Sequence, residues 1–157
     1  MFVIGDRIVY PMHGAGIVEK IEKIKLLGEV MNYYVMRIEY KDMKVKIPVK
    51  KADDLNVRLL STLEEIKNAF IESRTKEFES YPNWNTRYRA NIEKIKDGRV
   101  ENLTEVIRML HDLECEKGLS TGEKQLFNNS KEILASEVKM IENIEFEEAL
   151  KIINEFI

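Results

Sequence analysis

The spacing of apolar residues changes near residue 60, and this change constrains the fold more than any other feature of the chain. Before it, segments such as MRIEY (residues 36–40) and MKVKIPV (43–49) alternate apolar with polar residues, as half-buried strands do. After it, apolar residues recur three and four positions apart, the spacing of amphipathic helices. The sequence therefore predicts an α+β protein, with a β half at residues 1–60 and a helical half at residues 61–157.

The β half contains short segments rich in Val, Ile and Tyr, separated by turn residues. The segments are RIVY, AGIVEKI, NYYVMRIEY and MKVKIPV, and the turns are Gly5-Asp6, His13-Gly14, Leu27-Gly28-Glu29 and Lys41-Asp42. About five short strands in 60 residues indicate a small, strongly bent antiparallel sheet or barrel. Such a domain is close to the lower size limit for independent stability, so we expect it to pack against its neighbour.

The helical half is divided by capping and breaking residues. We predict a capping box at Ser61–Glu64, a connection from Arg74 to Asn83, a second helix from near Trp84 to Gly98, a third ending at Gly118, a second capping box at Ser120–Glu123 and a short fifth helix at Phe146–Phe156. These signals together indicate a compact all-helical bundle of about five helices.

Charge is distributed unevenly along the chain, although the net charge is only −3. Lys and Arg exceed Asp and Glu by 11 to 8 in residues 1–60 and by 8 to 7 in residues 61–100, whereas residues 101–157 carry 6 basic and 13 acidic side chains. Any site for a polyanion must therefore be local.

Cys115 is the single cysteine, which excludes an internal disulfide and fits a reducing compartment. The first residues do not resemble a signal peptide, and no apolar run reaches the roughly 18 residues of a membrane span. We expect a soluble cytoplasmic protein with no membrane partner.

The sequence contains none of the residue patterns that carry common enzyme or cofactor chemistry. His13 and His111 lie in different halves of the chain and Cys115 is the single cysteine, so no local His/Cys cluster has the spacing of a metal site. Gly14-Ala15-Gly16 follows no βαβ pattern and predicts a strand turn, and neither a P-loop nor a nucleophile elbow occurs. We therefore predict a protein that is not an enzyme and needs no cofactor, metal or small-molecule substrate.

Residues 84–96 carry the chain's one tryptophan at the start of a predicted helix. Trp84, Tyr88, Ile92 and Ile95 form one stripe on that helix, and Arg87, Asn91 and Lys94 form a second stripe beside it. Spacing alone favours the first stripe as core and the cations as its solvated flanks.

The position of Trp84 favours a different interpretation. A helix N-terminus offers free N–H groups and partial positive charge, which suit a phosphate. Arg87 and Arg89 add formal charge within two turns. An apolar wedge flanked by cations is used at the DNA minor groove, where it inserts at unstacked base steps. The sequence leaves both interpretations open.

Several segments resemble the CarD/CdnL family of bacterial transcription regulators. They are FVIGDRIVYPMHGAGIV (2–18), MKVKIPV (43–49), NVR (56–58), NWNTRYRANIEKI (83–95) and GLSTGEK (118–124). The first is shared with the N-terminal module of the transcription-repair coupling factor, and the tryptophan segment joined to the helical half is specific to CarD/CdnL. The region after Asn143 matches the family least.

The resemblance implies a Tudor-like, or SH3-like, bent sheet at residues 1–60 that binds the RNA polymerase β subunit. It implies a helical domain at residues 61–157 that contacts promoter DNA at the upstream edge of the melted −10 region. There the tryptophan wedges into the minor groove and stabilises the open complex, with little reading of base sequence. A polymerase-binding adaptor without direct DNA contact is the alternative, and a module that competes with the coupling factor for its site is another.

Carried over to this chain, the resemblance implies two sets of site residues. The DNA-binding set is Trp84 as the wedge with Arg87, Arg89, Asn91 and Lys94, and the polymerase-binding set is Lys46, Lys44, Met43 and Lys25. Lys46 stands where relatives often carry Arg, and a lysine lacks the planar fork for bidentate pairing with a carboxylate. Ile24 stands where some members have a basic residue, and a strand would turn its neighbours Lys23 and Lys25 to the other face.

Overall fold

A computed structural model describes all residues, 1–157, and confirms the α+β class and the order of sheet and bundle. The strands are β1 (Arg7–Tyr10), β2 (Gly14–Leu26), β3 (Glu29–Ile38), β4 (Met43–Pro48) and β5 (Arg58–Leu59). The helices are α1 (Leu63–Ser73), α2 (Trp84–Lys96), α3 (Val100–Glu116), α4 (Thr121–Glu142) and α5 (Phe146–Phe156), with short 3₁₀ turns at Glu39–Lys41 and Val49–Lys51. None of the helices combines the length and apolar character needed to cross a membrane.

The five strands form one antiparallel sheet in the order β4-β3-β2-β1-β5. Alternation places one face of the sheet over a core that includes Ile8, Tyr34, Met36 and Ile47. The pairing of β2 with β3 shifts between Val18 and Lys20, which is a β-bulge. Beyond residue 22 the β2–β3 hairpin pairs only with itself, so its tip projects from the sheet.

The bundle has a separate and larger core drawn from all five helices, and it includes Phe70, Ile95, Ile107, Leu134 and Ile153. Its helix boundaries agree with the sequence prediction at Trp84, Gly98 and Gly118, where the two glycines have φ values of +81° and +80°. Gly98 ends α2 because a left-handed backbone suits glycine there.

Both predicted capping boxes differ from the observed caps. The first box is formed one residue later, by Thr62 and Glu65, because Ser61 is engaged elsewhere: its N–H donates to Oε2 of Glu137 at 2.7 Å. At α4 only half of the second box forms. Ser120 accepts from the N–H of Glu123 at 3.3 Å, but the Glu123 carboxylate is bound to Arg87 and does not return to the Ser120 backbone.

The two halves pack closely where β1 and β2 meet α4. Arg58 of β5 donates two hydrogen bonds of 2.8 Å to the carboxylate of Glu137, whose side chain is 1% exposed. The Ala15 N–H donates to Ser136 Oγ at 2.9 Å, and Val9, Ala15 and Met140 form a small apolar cluster between the halves. These contacts join sheet and bundle, and the expectation that the β half packs against its neighbour is confirmed.

Candidate nucleic-acid interface

Trp84 is the first residue of α2 and lies at the surface of the bundle. The Asn83 side chain caps the helix by accepting from the N–H of Thr86 at 2.9 Å, which fixes where α2 begins. Trp84 is 46% exposed, and its ring packs edge-on against the Tyr88 ring, with 6.4 Å between the ring centroids. An exposed indole at a capped helix start meets the geometric requirement for contact with a partner.

Burial increases along the stripe that begins with Trp84. Tyr88 and Ile92 are partly buried, and Ile95 at the far end is in the core. The most buried face of α2 is instead formed by Arg87, Asn91 and Ile95. The expectation that the second stripe is a solvated flank is therefore wrong for Arg87, which is bound to a buried carboxylate, and for Asn91, which is fully buried.

Arg87 is bound to Glu123 at the start of α4. Its Nε donates to Oε2 at 2.7 Å and its Nη2 donates to Oε1 at 2.8 Å, and the Glu123 side chain is 1% exposed. Burial opposes ionisation of Glu123, but the hydrogen bonds and charge of Arg87 outweigh it and lower the pKa of the carboxyl. The same hydrogen bonds raise the pKa of Arg87. Glu123 therefore compensates the charge of Arg87, a residue for which the family resemblance implied a DNA contact.

Asn91 has no accessible surface, so the prediction that it contacts DNA is wrong. Its Nδ2 lies 3.6 Å from the sulfur of Met109 on α3, and its Oδ1 has no hydrogen-bond partner within the chain. The side chain lies inside the bundle because helical spacing places it one turn beyond Arg87 on the same face.

The other cations of α2 differ in how far they are compensated. Lys94 lies 3.7 Å from a carboxylate oxygen of Glu105, which also pairs with Lys76 of the α1–α2 connection. Arg89 is exposed and forms no ion pair within the chain. Of the residues predicted to bind DNA, Trp84 and Arg89 are exposed, and Arg89 has no carboxylate partner within the chain.

The predicted polymerase set lies at the edge of the sheet. β4 is an edge strand, paired with β3 alone. Lys44 and Lys46 project from its solvent face, where Lys44 lies 3.1 Å from Glu19 and Lys46 lies 3.2 Å from Glu22 across the sheet. Arg37 joins the same row at 3.6 Å from Glu19, and its neighbour Lys44 lowers the pKa of the Glu19 carboxyl. These exposed pairs are weak and can be exchanged for a partner's charges.

Lys25 and Met43 do not share the face of Lys46. The register pairs Lys20 with Val35 and Val35 with Lys46, so alternation along β2 places Glu22 and Ile24 on the Lys46 face and Lys25 on the opposite one. Met43 lies at the start of β4, is half exposed, and alternates with Lys44 and Lys46. The structure thus brings Lys44 and Lys46 together and separates Lys25 from them.

Two carboxylates with structural roles could not be identified from the sequence. Glu123 was interpreted as a capping residue and nothing in the sequence singled out Glu137, yet both are buried against an arginine. One signal was present: both glutamates fall in register with the buried face of a long amphipathic helix.

Comparison with known proteins agrees with this architecture. Residues 2–60 match the family model described as the CarD-like/TRCF RID domain, and residues 68–154 match the model described as the CarD, C-terminal domain. A Bacillus subtilis (strain 168) protein named "Putative transcription factor YdeB" is 40% identical over 144 residues, covering 92% of this chain and 94% of that one.

The chain belongs to the CarD family. Among solved structures, the solution NMR structure of the 72-residue N-terminal domain of Myxococcus xanthus CarD is 30% identical, with a TM-score of 0.33, and covers 38% of this chain and 79% of that domain. Residues 61–67 lie between the two family-model matches and include the end of the β5–α1 connection and the start of α1. A CarD-like transcription regulator that interacts with RNA polymerase is consistent with both matched domains.

Proposed function

We propose that this CarD-family protein binds the RNA polymerase β subunit and stabilises the promoter open complex through Trp84. In this proposal residues 1–60 form the polymerase-interaction domain and residues 61–157 form the DNA-binding domain. The observation that carries the proposal is the position of Trp84, 46% exposed on the first turn of a capped helix in a chain that matches both CarD domains.

The physical basis is a difference in affinity between two promoter states. A wedge that fits a splayed minor-groove step binds the melted promoter better than the closed one, and only such a difference shifts the balance. A selective contribution of about 1.4 kcal/mol from the indole changes the open-to-closed ratio roughly tenfold.

Direct affinity for DNA should be weak. Since Arg87 and Lys94 are paired with carboxylates, Arg89 and the N-terminus of α2 are left as the main phosphate contacts. Polymerase docking supplies the effective concentration that one or two phosphate contacts cannot. The fixed packing of sheet against bundle supports this joint action, since it holds both surfaces at a constant separation.

Trp84→Ala is expected to shorten the open-complex lifetime roughly tenfold while leaving polymerase binding and the fold unchanged. The measurement is promoter-complex lifetime with purified polymerase, with and without the protein. Ile71→Ala is the matched control, because Ile71 is equally exposed, at 46%, on α1. If Trp84→Ala melts far below the wild type, the indole has a structural role and the proposed wedge is wrong.

For the polymerase surface, we propose Lys44 and Lys46 on the edge strand β4, with Met43 at its start. Lys46→Glu is expected to weaken binding to the β subunit at least several-fold, because the new carboxylate repels Glu22 and reverses the charge offered to the partner. Pull-down of polymerase measures this. Lys151→Glu on α5 makes the same change in net charge and should leave binding intact; equal pull-down by both variants would argue against this face.

An adaptor that binds polymerase without touching DNA is the second candidate. The pairing of Arg87 and Lys94 with carboxylates favours it, because it reduces the positive charge available to DNA. In that case residues 61–157 would be dispensable, and Trp84→Ala would leave the open-complex lifetime unchanged.

A further inference from the structure

The Arg87–Glu123 pair joins the first turn of α2 to the first turn of α4, next to Trp84. We propose that this pair is a positioning device for the indole and that Arg87 acts through Trp84, with no phosphate contact of its own. The inference rests on the proposed function of Trp84 and adds two residues, Arg87 and Glu123, to the machinery that orients it.

Glu123 also contacts Ser120 within its own helix, α4. Its N–H donates to Ser120 Oγ at 3.3 Å, and Ser120 Oγ lies 3.1 Å from Oε1, so the carboxylate has one orientation. Two parallel hydrogen bonds from a planar guanidinium then set both the distance and the angle between the helices.

Trp84 lies within one turn of this pair, on the side that faces α4. A Cβ added at Gly122 would lie 3.8 Å from Cζ3 of Trp84 and 4.0 Å from Cε2 of Tyr88, so both rings pass over the residue next to Glu123. These are ordinary van der Waals distances, so the indole lies against the first turn of α4, and the position of α4 relative to α2 bears on where the ring lies.

The indole has little else to hold it. It is half exposed, it meets Tyr88 edge-on, and the first turn of an isolated helix frays readily. Tyr88 and Ile92 are only partly buried against the bundle core, and Ile95, the buried apolar residue of α2, lies near its other end, about 16 Å away along the axis at 1.5 Å per residue. The ion pair therefore adds a buried polar contact at the start of α2, where apolar packing is only partial.

The single tryptophan makes the inference directly measurable, because all tryptophan fluorescence reports on Trp84. In the wild type we expect the anisotropy of the free protein to decay with overall tumbling. In Arg87→Lys and Glu123→Gln we expect a fast component from indole motion on the picosecond-to-nanosecond scale, and stronger quenching by acrylamide. Arg58→Lys is the matched control, since it disturbs the other buried bidentate pair, at the far end of α4, and should leave the fluorescence unchanged.

The same variants separate positioning from phosphate binding. Arg87→Lys keeps the positive charge and Glu123→Gln frees it, so a phosphate contact would survive in the first and strengthen in the second. Positioning predicts the opposite: both variants shorten the open-complex lifetime roughly tenfold, as far as Trp84→Ala does, and combining either with Trp84→Ala adds nothing further.

The possible outcomes are distinct. Unchanged anisotropy and quenching in Arg87→Lys and Glu123→Gln would overturn the positioning role, whatever happens on the promoter. A mobile indole with an unchanged promoter lifetime would support positioning and contradict the proposed wedge. Ser120→Ala, which removes one hydroxyl that orients Glu123, carries the test if the other variants fail to fold: a smaller gain of indole mobility supports the inference, and none contradicts it.

Discussion

Replacing Gly16 by alanine is expected to destabilise the protein by about 3 kcal/mol, the largest loss for the addition of one methyl group in this chain. A Cβ at Gly16 would lie 2.2 Å from the carbonyl oxygen and 2.8 Å from the carbonyl carbon of Arg37, and 3.0 Å from Cε of Met36. The first two neighbours are backbone atoms of β3, so no side-chain rotation relieves the overlap.

The loss is expected to be large because Gly16 lies where β2 is paired on both sides. It pairs with Ile8 of β1, and the next residue, Ile17, pairs with Arg37 of β3. Moving β3 away to accept the methyl group would break ladder hydrogen bonds and open the sheet core around Met36. Polymerase binding should fall with the fraction of folded protein.

Chemical denaturation of Gly16→Ala against the wild type measures this loss. Gly28→Ala is the control: its φ is +83° and a Cβ there has no neighbour within 4 Å, so it isolates the cost of a strained backbone, about 1 kcal/mol. A Gly16→Ala variant as stable as Gly28→Ala would show that β3 can yield, contrary to the close packing described above.

Arg58→Met is expected to destabilise the protein by about 3 kcal/mol, because it leaves the buried Glu137 carboxylate without its cation. Arg58 also donates from Nε to the Gly98 carbonyl at 2.7 Å, so one guanidinium joins β5, the end of α2 and α4. Its loss affects the junction between sheet and bundle more than either core.

A double-mutant cycle separates the pair from its surroundings. Arg58→Met and Glu137→Met together should cost less than the sum of the single changes, since the second change removes the uncompensated charge. Thermal or chemical unfolding gives the four stabilities. Additive losses would mean that the two side chains stabilise the junction independently.

Lys96→Met is the control for this cycle. It breaks an exposed pair with Glu93 at 3.7 Å, and its effect on the free energy of unfolding should stay within about 0.5 kcal/mol.

On the promoter, a folded Arg58 variant should retain polymerase binding but shorten the open-complex lifetime, because the polymerase-binding and DNA-binding surfaces would no longer be held at one separation.

Local patterns determined most of the fold, because each predicted element depends on neighbours within one or two turns. Alternation located β3 and β4, three-and-four spacing located the helices, and glycines marked the ends of α2 and α3. The capping boxes were predicted less well, because one residue of each predicted box is bound by a side chain from a distant element. Ser61 is bound by Glu137, and Glu123 is bound by Arg87.

At the candidate site, too, some residues could be placed from local sequence patterns and others depended on distant elements. Sequence identified Trp84 and its place at a helix start. It grouped Lys25 with Lys46 in one polymerase-binding set, although it noted that a strand turns Lys25 to the face opposite Ile24, and the register places Lys25 on the face opposite Lys46. Helical spacing placed Arg87 and Asn91 on a stripe that excludes Arg89, but it could not show that this stripe faces the bundle while Arg89 faces solvent. Their different environments arise from α3 and α4, which approach α2 from elsewhere in the chain.

The sequence by itself determined the order of strands and helices, the family and the tryptophan at the start of α2, since periodicity and turn residues act over short distances. Only the tertiary structure decided which charges are free. A carboxylate such as Glu123 or Glu137 becomes an arginine's partner when folding removes the carboxylate from water, because a buried charge needs an opposite charge and hydrogen bonds to compensate it.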